Sequence, residues 1–374
     1  MKANAAVKEI DTEKYWEENK IYEKNLAQRN KQDKFILHDG PPYLSSDKIH
    51  IGTALNKILK DIVVKYKSQT GYYSPYVPGY DGHGLPIENA AVKSIKGGKD
   101  ALTPTELRQK SREFALGNLK GQEINFKRLG VWGNWENPYI TINPEFEAHQ
   151  VKVFGEINKK DYIYKGLKPV YWCANCETAL AEAEVEYADH KSYSIYVKFK
   201  FDEVNAQKAY NLAGLNINNP LSMVIWTTTP WTLPANLAIA VHPEFKYVFV
   251  QRNREEDVYI IAKDLLESTV KNLGWAENSY NILKIVKGET LEFLKAEHPF
   301  IDRESLVILG EHVTTEAGTG CVHTAPGHGL EDYEAGNKYK LGIISPLTGK
   351  GIFTDEAGKF SGMRYNKANE EIIK

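Results

Sequence analysis

Residues 35–60, FILHDGPPYLSSDKIHIGTALNKILK, constrain the fold of this chain more than any other stretch. Phe35 to His38 reads as a buried strand, and the Gly40-Pro41-Pro42 turn after it cannot continue that strand. A helix is then expected to open near Ser46 or Asp47. Ile51, Leu55, Ile58, Leu59 and Ile62 recur at helical spacing, so the expected helix carries one apolar stripe to pack against a sheet. A helix starting at a strand's end turns its free N–H groups and positive dipole end outward, which suits phosphate, and His50 and Thr53 would stand beside it. Neither G-x-G-x-x-G nor G-x-x-x-x-G-K-[ST] occurs there, so a nucleotide must be held by other groups.

With 374 residues, 42% hydrophobic and 26% charged, the composition is that of a globular chain with room for two domains. A net charge of −2 argues against a simple RNA-binding module and leaves any RNA contact to local basic patches. There is no eighteen-residue apolar run and no charged-then-apolar leader, so neither a membrane span nor a secretory signal is expected, and the expected location is cytoplasmic. Three cysteines occur; in a cytosolic chain the pair Cys173-Ala174-Asn175-Cys176 reads as half a metal site or a redox pair rather than a disulfide.

Along the chain, residues 11–30 read as one amphipathic helix, a packing arm with Tyr15, Trp16, Asn19, Tyr22 and Leu26 near one side. Residues 71–88, rich in Gly, Pro and Tyr, form a loop suited to ligand contact. Within it, Asp81 is either a turn former or a carboxylate for a substrate ammonium. Thr103-Pro104-Thr105-Glu106 marks a helix start, and that helix runs to about Leu129. Its Arg108, Lys110, Arg112, Lys120, Lys127 and Arg128 are either a solvated face or RNA contacts. A helix over 144–160 and a strand over 167–172 complete the first half of a parallel α/β domain.

After Cys173 the chain becomes mainly β, with strands expected at 221–226, 247–250, 258–261 and 306–309. Thr227, Thr228 and Thr229 set three hydroxyls after a strand, ahead of Trp231, where they can bind a ribose, a phosphate or a water, or merely form a β-edge. Residues 318–333 form a Gly-rich turn presenting His323, His328, Glu331 and Asp332, for which a metal is one reading.

Gly40-Pro41-Pro42-Tyr43 followed by His50-Ile51-Gly52-Thr53 resembles the first signature of the class I aminoacyl-tRNA synthetases, normally His-Ile-Gly-His. Residues 79–88, GYDGHGLPIE, are similar to the matching segment of the isoleucyl-tRNA synthetases, and residues 169–182 resemble the entry into their editing insertion. The resemblance implies an α/β fold: a helical arm (1–34), the first half of a Rossmann-like catalytic domain (35–172) and an inserted, mainly β editing domain (173–374). It implies a ligase that activates isoleucine with ATP and Mg2+ and passes it to tRNA(Ile), acting as a monomer. One methylene separates isoleucine from valine, worth about 1 to 3 kcal/mol, and these enzymes are the standing example of why a second, hydrolytic pocket is needed.

By the same resemblance Gly40, Pro41, Pro42, Tyr43, Asp81 and His83 contact amino acid and ATP, with Asp81 on the α-amino group. His50, Gly52 and Thr53 serve adenylation. Thr227, Thr228, Thr229, Trp231, His323 and Asp332 form the editing pocket, and Cys173 and Cys176 supply half of a zinc site. Thr229 stands where the valine and leucine relatives carry Arg. Two departures stand out: Thr53 replaces the second His and carries no charge, and Leu44-Ser45-Ser46 lengthens the motif by one residue. No Lys-Met-Ser-Lys-Ser loop occurs, so the chain is expected to be the N-terminal portion of a longer enzyme. The alternatives are a free-standing deacylase of Val-tRNA(Ile) and a non-catalytic tRNA-binding fragment.

Overall fold

Lys20 adopts a left-handed conformation (φ 50°), which no α-helix continues through, so the N-terminal arm is two helices, α1 (Ala5–Glu18) and α2 (Ile21–Gln28), instead of the single one expected. The computed structural model describes residues 4–93, 95–276 and 279–374, and the chain divides into two compact units, 1–164 and 165–374. The arm belongs to the first unit. Trp16 meets Trp132 edge-on at 5.8 Å, Arg128 pairs with Glu9 and Glu13, and the Tyr22 hydroxyl accepts from Tyr76 N at 2.9 Å.

Residues 35–38 do not form a strand. The backbone makes one parallel bridge, Lys34 to Tyr73, and Ile36 is 63% exposed. Nor does the next helix open near Ser46 or Asp47; α3 is Ile51–Gln69. Its burial is the reverse of the expected pattern: Ile51 (86% exposed), Leu55, Ile58, Leu59 and Ile62 face outward, while Lys57, Asp61, Val64 and Ser68 face the interior. Both buried charges are paired. Lys57 bonds the Asp39 carboxylate, and Asp61 accepts from Lys65 Nζ at 2.6 Å and Trp132 N at 2.8 Å. Hydrophobic periodicity alone could not reveal a helix that buries its satisfied charges.

The rest of the first unit is β1 (Gly79–Tyr80), α4 (Leu85–Val92), α5 (Pro104–Arg128), β2 (Tyr139–Ile140) and α6 (Pro144–Asn158). Thr103 and Glu106 form the expected capping box of α5. Strands β1 and β2 pair in parallel, Gly79 opposite Tyr139; a Cβ at position 79 would overlap the Tyr139 ring, so the close approach requires glycine. Leu44, Tyr80, Ile87, Ala115, Phe126 and Ile142 make the core here.

In the second unit the strand expected over 167–172 is absent, with Leu167, Val170 and Tyr171 exposed; only the hairpin β3 (Trp172–Cys173) and β4 (Thr178–Ala179) forms. Then follow β5 (Ile195–Lys200), α7 (Glu203–Ala213), β6 (Leu221–Thr227), β7 (Ala238–Val241), β8 (Lys246–Arg252), β9 (Val258–Ala262), α8 (Leu266–Asn272), β10 (Tyr280–Lys287), β11 (Lys295–Glu297), β12 (Glu304–Leu309), β13 (Cys321–Thr324), α9 (Leu330–Tyr339) and α10 (Tyr365–Ile373). One sheet has the order β10-β8-β9-β6-β5 and the other β11-β12-β7-β13. Their shared core includes Phe199, Ile225 and Phe249 from the first and Ile239, Val241 and Val307 from the second. Each large side chain fully buried there contributes about 1.5 to 3 kcal/mol. The chain is thus mixed α/β, and among the described residues no helix is long and apolar enough to cross a membrane.

Candidate functional site

In the first unit two distant segments become one surface at Tyr43 and Asp81. They form a parallel bridge in which Asp81 N donates to Pro42 O at 2.8 Å and Leu44 N donates to Asp81 O at 2.9 Å. The Asp81 carboxylate accepts from His83 N (3.2 Å) and Thr141 Oγ1 (3.3 Å), and His83 Nε2 lies 3.2 Å from Glu147. Gly40 to Tyr43 is therefore held against the Asp81 loop by backbone bonds, independent of side-chain identity.

His50 is the N-cap of α3. Its Nδ1 accepts from Thr53 N at 3.2 Å, so Nε2 carries the proton and donates to Thr53 Oγ1 at 3.0 Å. Gly52 lies beside the imidazole, where a Cβ would come within 3.0 Å of the ring. Among the described residues the amides of Ile51 and Gly52, at the first turn of α3, make no backbone bond.

Residues that sequence reasoning missed hold this surface. Asn118, Gln122 and Asn125, at i, i+4 and i+7 on α5, donate to the carbonyls of Leu44 (3.0 Å), of Tyr43 and Ser46 (both 2.8 Å), and of Asp47 (3.1 Å). Taking those carbonyls away from helical bonding explains why α3 starts at Ile51. The amide row lies among the more conspicuous cations of α5. Those cations are largely spent within the protein: Lys110 on Glu113, Lys120 and Lys127 on Glu123, Arg112 on Ile142 O.

Asp39 lies beneath the surface, fully buried, and accepts from Lys57, from Lys60 at 2.7 Å and from Gly79 N at 2.7 Å, while its carbonyl accepts from the Tyr139 hydroxyl. Burial works against its charge, but the two ammonium groups outweigh it and hold the carboxyl below its ordinary range. Burial also pushes the Lys57 ammonium down, against the pull of Asp39.

In the second unit Thr227 ends β6 and Thr228 and Thr229 follow it, and His323 projects from β13 into a chain of bonds whose directions are fixed by the end groups. Asn236 Nδ2 donates to Ala238 O (2.9 Å) and lies 2.7 Å from His323 Nδ1, which therefore accepts. His323 Nε2 then carries the proton and donates to Thr232 Oγ1 (2.9 Å), whose hydroxyl donates to Thr229 O (2.9 Å). Thr229 N in turn donates to Thr227 Oγ1 at 3.0 Å. Burial pushes His323 down to about 3, so it is neutral near pH 7 with both nitrogens occupied.

Thr228 and Thr229 are exposed. Trp231 packs edge-on against His328 and Tyr365, each at 5.2 Å, and burial brings His328 to about 4. Asp332, in the first turn of α9, accepts from Ala325 N at 2.9 Å, its one hydrogen bond among the described residues. Burial raises its pKa despite that bond, as expected of a carboxylate short of a counter-charge. Gly327 passes so near the Ile344 carbonyl that a Cβ would overlap it. The exposed Thr228 and Thr229 lead through Thr232 to His323 on β13, and the Asp332 carboxylate is bonded to Ala325 N just past that strand; hydroxyls and a carboxylate are groups suited to a ligand that carries hydroxyl groups and an ammonium.

Cys173 and Cys176, expected to supply half of a zinc site, lie together on the β3–β4 hairpin. Cys176 N donates to Cys173 Sγ at 3.3 Å in the β3–β4 hairpin, and that N–H lowers the Cys173 pKa. Among the described residues no group of three or more His, Cys, Asp or Glu side chains is arranged to hold a metal, and a structural zinc needs four ligands. The same finding removes the metal reading of His323, His328, Glu331 and Asp332.

Known proteins show which family the chain belongs to. The chain is 54% identical over 373 residues to an isoleucine–tRNA ligase of Thermoanaerobacter sp. (strain X514), covering all of this chain and 39% of the relative. It is 53% identical over 375 residues to the isoleucine–tRNA ligase of Caldicellulosiruptor saccharolyticus, covering all of this chain and 40% of that protein. The chain thus spans about two-fifths of the length of the curated relatives it matches. A looser likeness, with TM-score 0.40 and 14% identity over 48% of this chain and 95% of the other, is to the editing domain of a P. falciparum cytosolic leucyl-tRNA synthetase. Residues 11–309 match the family model described as tRNA synthetases class I (I, L, M and V), and by that match the chain belongs to the class I tRNA synthetases.

Proposed function

We propose that this chain is the activating front and editing module of an isoleucine–tRNA ligase, with residues 1–34 as an arm, 35–172 as the first half of the catalytic domain and 173–374 as the editing insertion. In this reading Asp81 holds the ammonium of isoleucine, and ATP with Mg2+ lies along Gly40 to Tyr43 and the start of α3. An isoleucine carboxylate oxygen attacks the α-phosphorus, the acyl-phosphate bond forms, and pyrophosphate leaves. The protein's part is placement and charge stabilisation. His50 and Thr53 contribute donors to phosphate on rotating away from one another, and Thr53 adds no charge. A terminal hydroxyl of tRNA(Ile) then attacks the acyl carbon, the ester forms, and AMP leaves with the bond to phosphate broken.

In the second unit Asp332 holds the ammonium of a mischarged valyl group, Thr227 to Thr229 hold the tRNA end and a water, and Trp231 shapes the pocket. With both nitrogens committed, His323 orients Thr232 and does not take the proton of the attacking water. The observation that carries this reading is the Tyr43–Asp81 bridge, which joins the Gly-Pro-Pro-Tyr turn and the Asp81 loop on one surface. Calorimetric titration of the chain with a non-hydrolysable isoleucyl-adenylate analogue tests it: binding is expected in the wild type and lost in Asp81→Asn. No binding, or equal binding by both proteins, contradicts it.

A further inference from the structure

The segment from Thr229 to Asn236 carries most of the hydroxyl and amide groups around His323, yet its 3-10 helix (Pro230–Ala235) contains two prolines and few hydrogen bonds of its own. Its carbonyls are held from outside. His298 Nε2 donates to Leu233 O at 2.8 Å. Arg303 Nη1 donates to Pro234 O (3.1 Å) and Asn236 O (3.0 Å). Ser305 Oγ donates to Asn236 Oδ1 at 2.5 Å. His298 and Arg303 lie in the turn that joins β11 to β12, closed by His298 N to Arg303 O at 2.9 Å, and Ser305 is the second residue of β12.

The bond directions leave little freedom. Phe300 N and Ile301 N donate to His298 Nδ1 at 3.3 and 3.1 Å, so that nitrogen accepts and Nε2 carries the proton toward Leu233. Ser305 donates to Asn236 Oδ1, which turns the amide nitrogen toward His323 Nδ1 and so sets the tautomer that reaches Thr232 and Thr229. A flipped Asn236 would oppose its oxygen to Ala238 O. Ser305 and Asn236 are fully buried, His298 is nearly so, and Arg303 is partly exposed, so water cannot readily replace the inner bonds.

We propose that His298, Arg303 and Ser305 are positioning residues of the editing site: they hold the 229–236 segment by its carbonyls and fix the tautomer of His323 without touching the substrate. This rests on the editing reading of the second unit. The hairpin thereby couples sheet geometry to the placement of Thr229, and a displacement well under an ångström there is enough to be felt in the rate.

The test is steady-state hydrolysis of Val-tRNA(Ile) by the chain, together with the 15N spectrum of the His323 imidazole. Arg303→Met and His298→Leu are expected to lower kcat about 10- to 100-fold with KM little changed. His298→Gln, whose amide can both donate to Leu233 O and accept from Ile301 N, is expected to recover most of that loss. Lys295→Met, on the same hairpin but outward-facing, serves as the control. Wild-type His323 should show a single Nε2–H tautomer and Arg303→Met a mixture. Folded Arg303→Met with wild-type kcat and an unchanged spectrum overturns the proposal, as does His298→Gln that is as impaired as His298→Leu. If the wild type does not hydrolyse the ester, the editing reading fails by itself; the spectrum then decides the brace, an unchanged tautomer in Arg303→Met overturning it and a mixture supporting it.

Discussion

His323 Nδ1 lies 2.7 Å from the side-chain nitrogen of Asn236, a group already committed as a donor to Ala238 O. The imidazole therefore accepts on one side, donates on the other, and has no lone pair left for a water. Replacing it should cost rate through lost placement, not through a lost base. In His323→Gln, kcat for deacylation should fall while the shape of the pH profile between pH 6 and 8 stays that of the wild type. An inflection present in the wild type and abolished in the variant would assign His323 the proton transfer denied to it here.

Asp332 has one hydrogen bond among the described residues, and burial raises its pKa against that bond and the charge of His312. Exchanging it for Asn keeps the shape and removes the charge. Asp332→Asn should lose a charge-assisted bond worth about 1.5 to 3 kcal/mol, seen as roughly a 10- to 100-fold fall in kcat/KM for Val-tRNA(Ile). Wild-type kcat/KM should also decline as the pH falls through the raised Asp332 pKa, and Asp332→Asn should lack that limb. Unchanged kcat/KM in the variant would remove Asp332 from the site.

The buried histidines make the second unit acid-sensitive. His323 is held at about 3 and His298 and His328 at about 4, all below the ordinary 6.5. The unfolded chain thus binds more protons between those values, and stability present above pH 6.5 is lost as the pH falls toward 4. Asp332, raised in the folded state, acts in the opposite sense, as one group against three. Urea midpoints followed from pH 7 to pH 4 should drop steadily, and His328→Gln should flatten the slope. A midpoint independent of pH over that range would contradict the burial of these rings.

On α3 the polar face is the structural one. Lys57→Met leaves Asp39 with one of its two ammonium partners removed and should cost about 3 kcal/mol or more. Leu59→Lys, on a residue 54% exposed, should stay within about 0.5 kcal/mol. Denaturant unfolding of the two variants checks the contrast, and the opposite order would restore the apolar stripe as the buried face.

That reversal marks where the sequence was legible and where it was not. The strands near 221–226, 247–250, 258–261 and 306–309 could be read because each is a short β-branched or aromatic run bounded by turns, and the α5 cap because its four residues carry the whole signal. The interior face of α3 could not be read. It depends on Asp39 and on Trp132 N, which meet Lys57 and Asp61 from 18 and 71 residues away. The candidate residues around Asp81 and Asp332 were named through family motifs. Among their supports, Asn118, Gln122 and Asn125 follow no such motif and emerge only when the backbone carbonyls they bond are brought beside them, while Thr232 and Asn236 lie inside the threonine segment but show their role only once His323 is brought between them. The two-cysteine hairpin carries a metal motif's spacing, and among the described residues it is not part of a group of three or more His, Cys, Asp or Glu side chains arranged for a metal.

The most direct measurement is the hydrolysis of preformed Val-tRNA(Ile) and Ile-tRNA(Ile) by this chain, compared at equal enzyme. The account predicts that the valyl ester is cleared well above the uncatalysed rate while the isoleucyl ester persists. Equal loss of both esters, or loss of neither above background, would contradict an editing site at Thr229, His323 and Asp332.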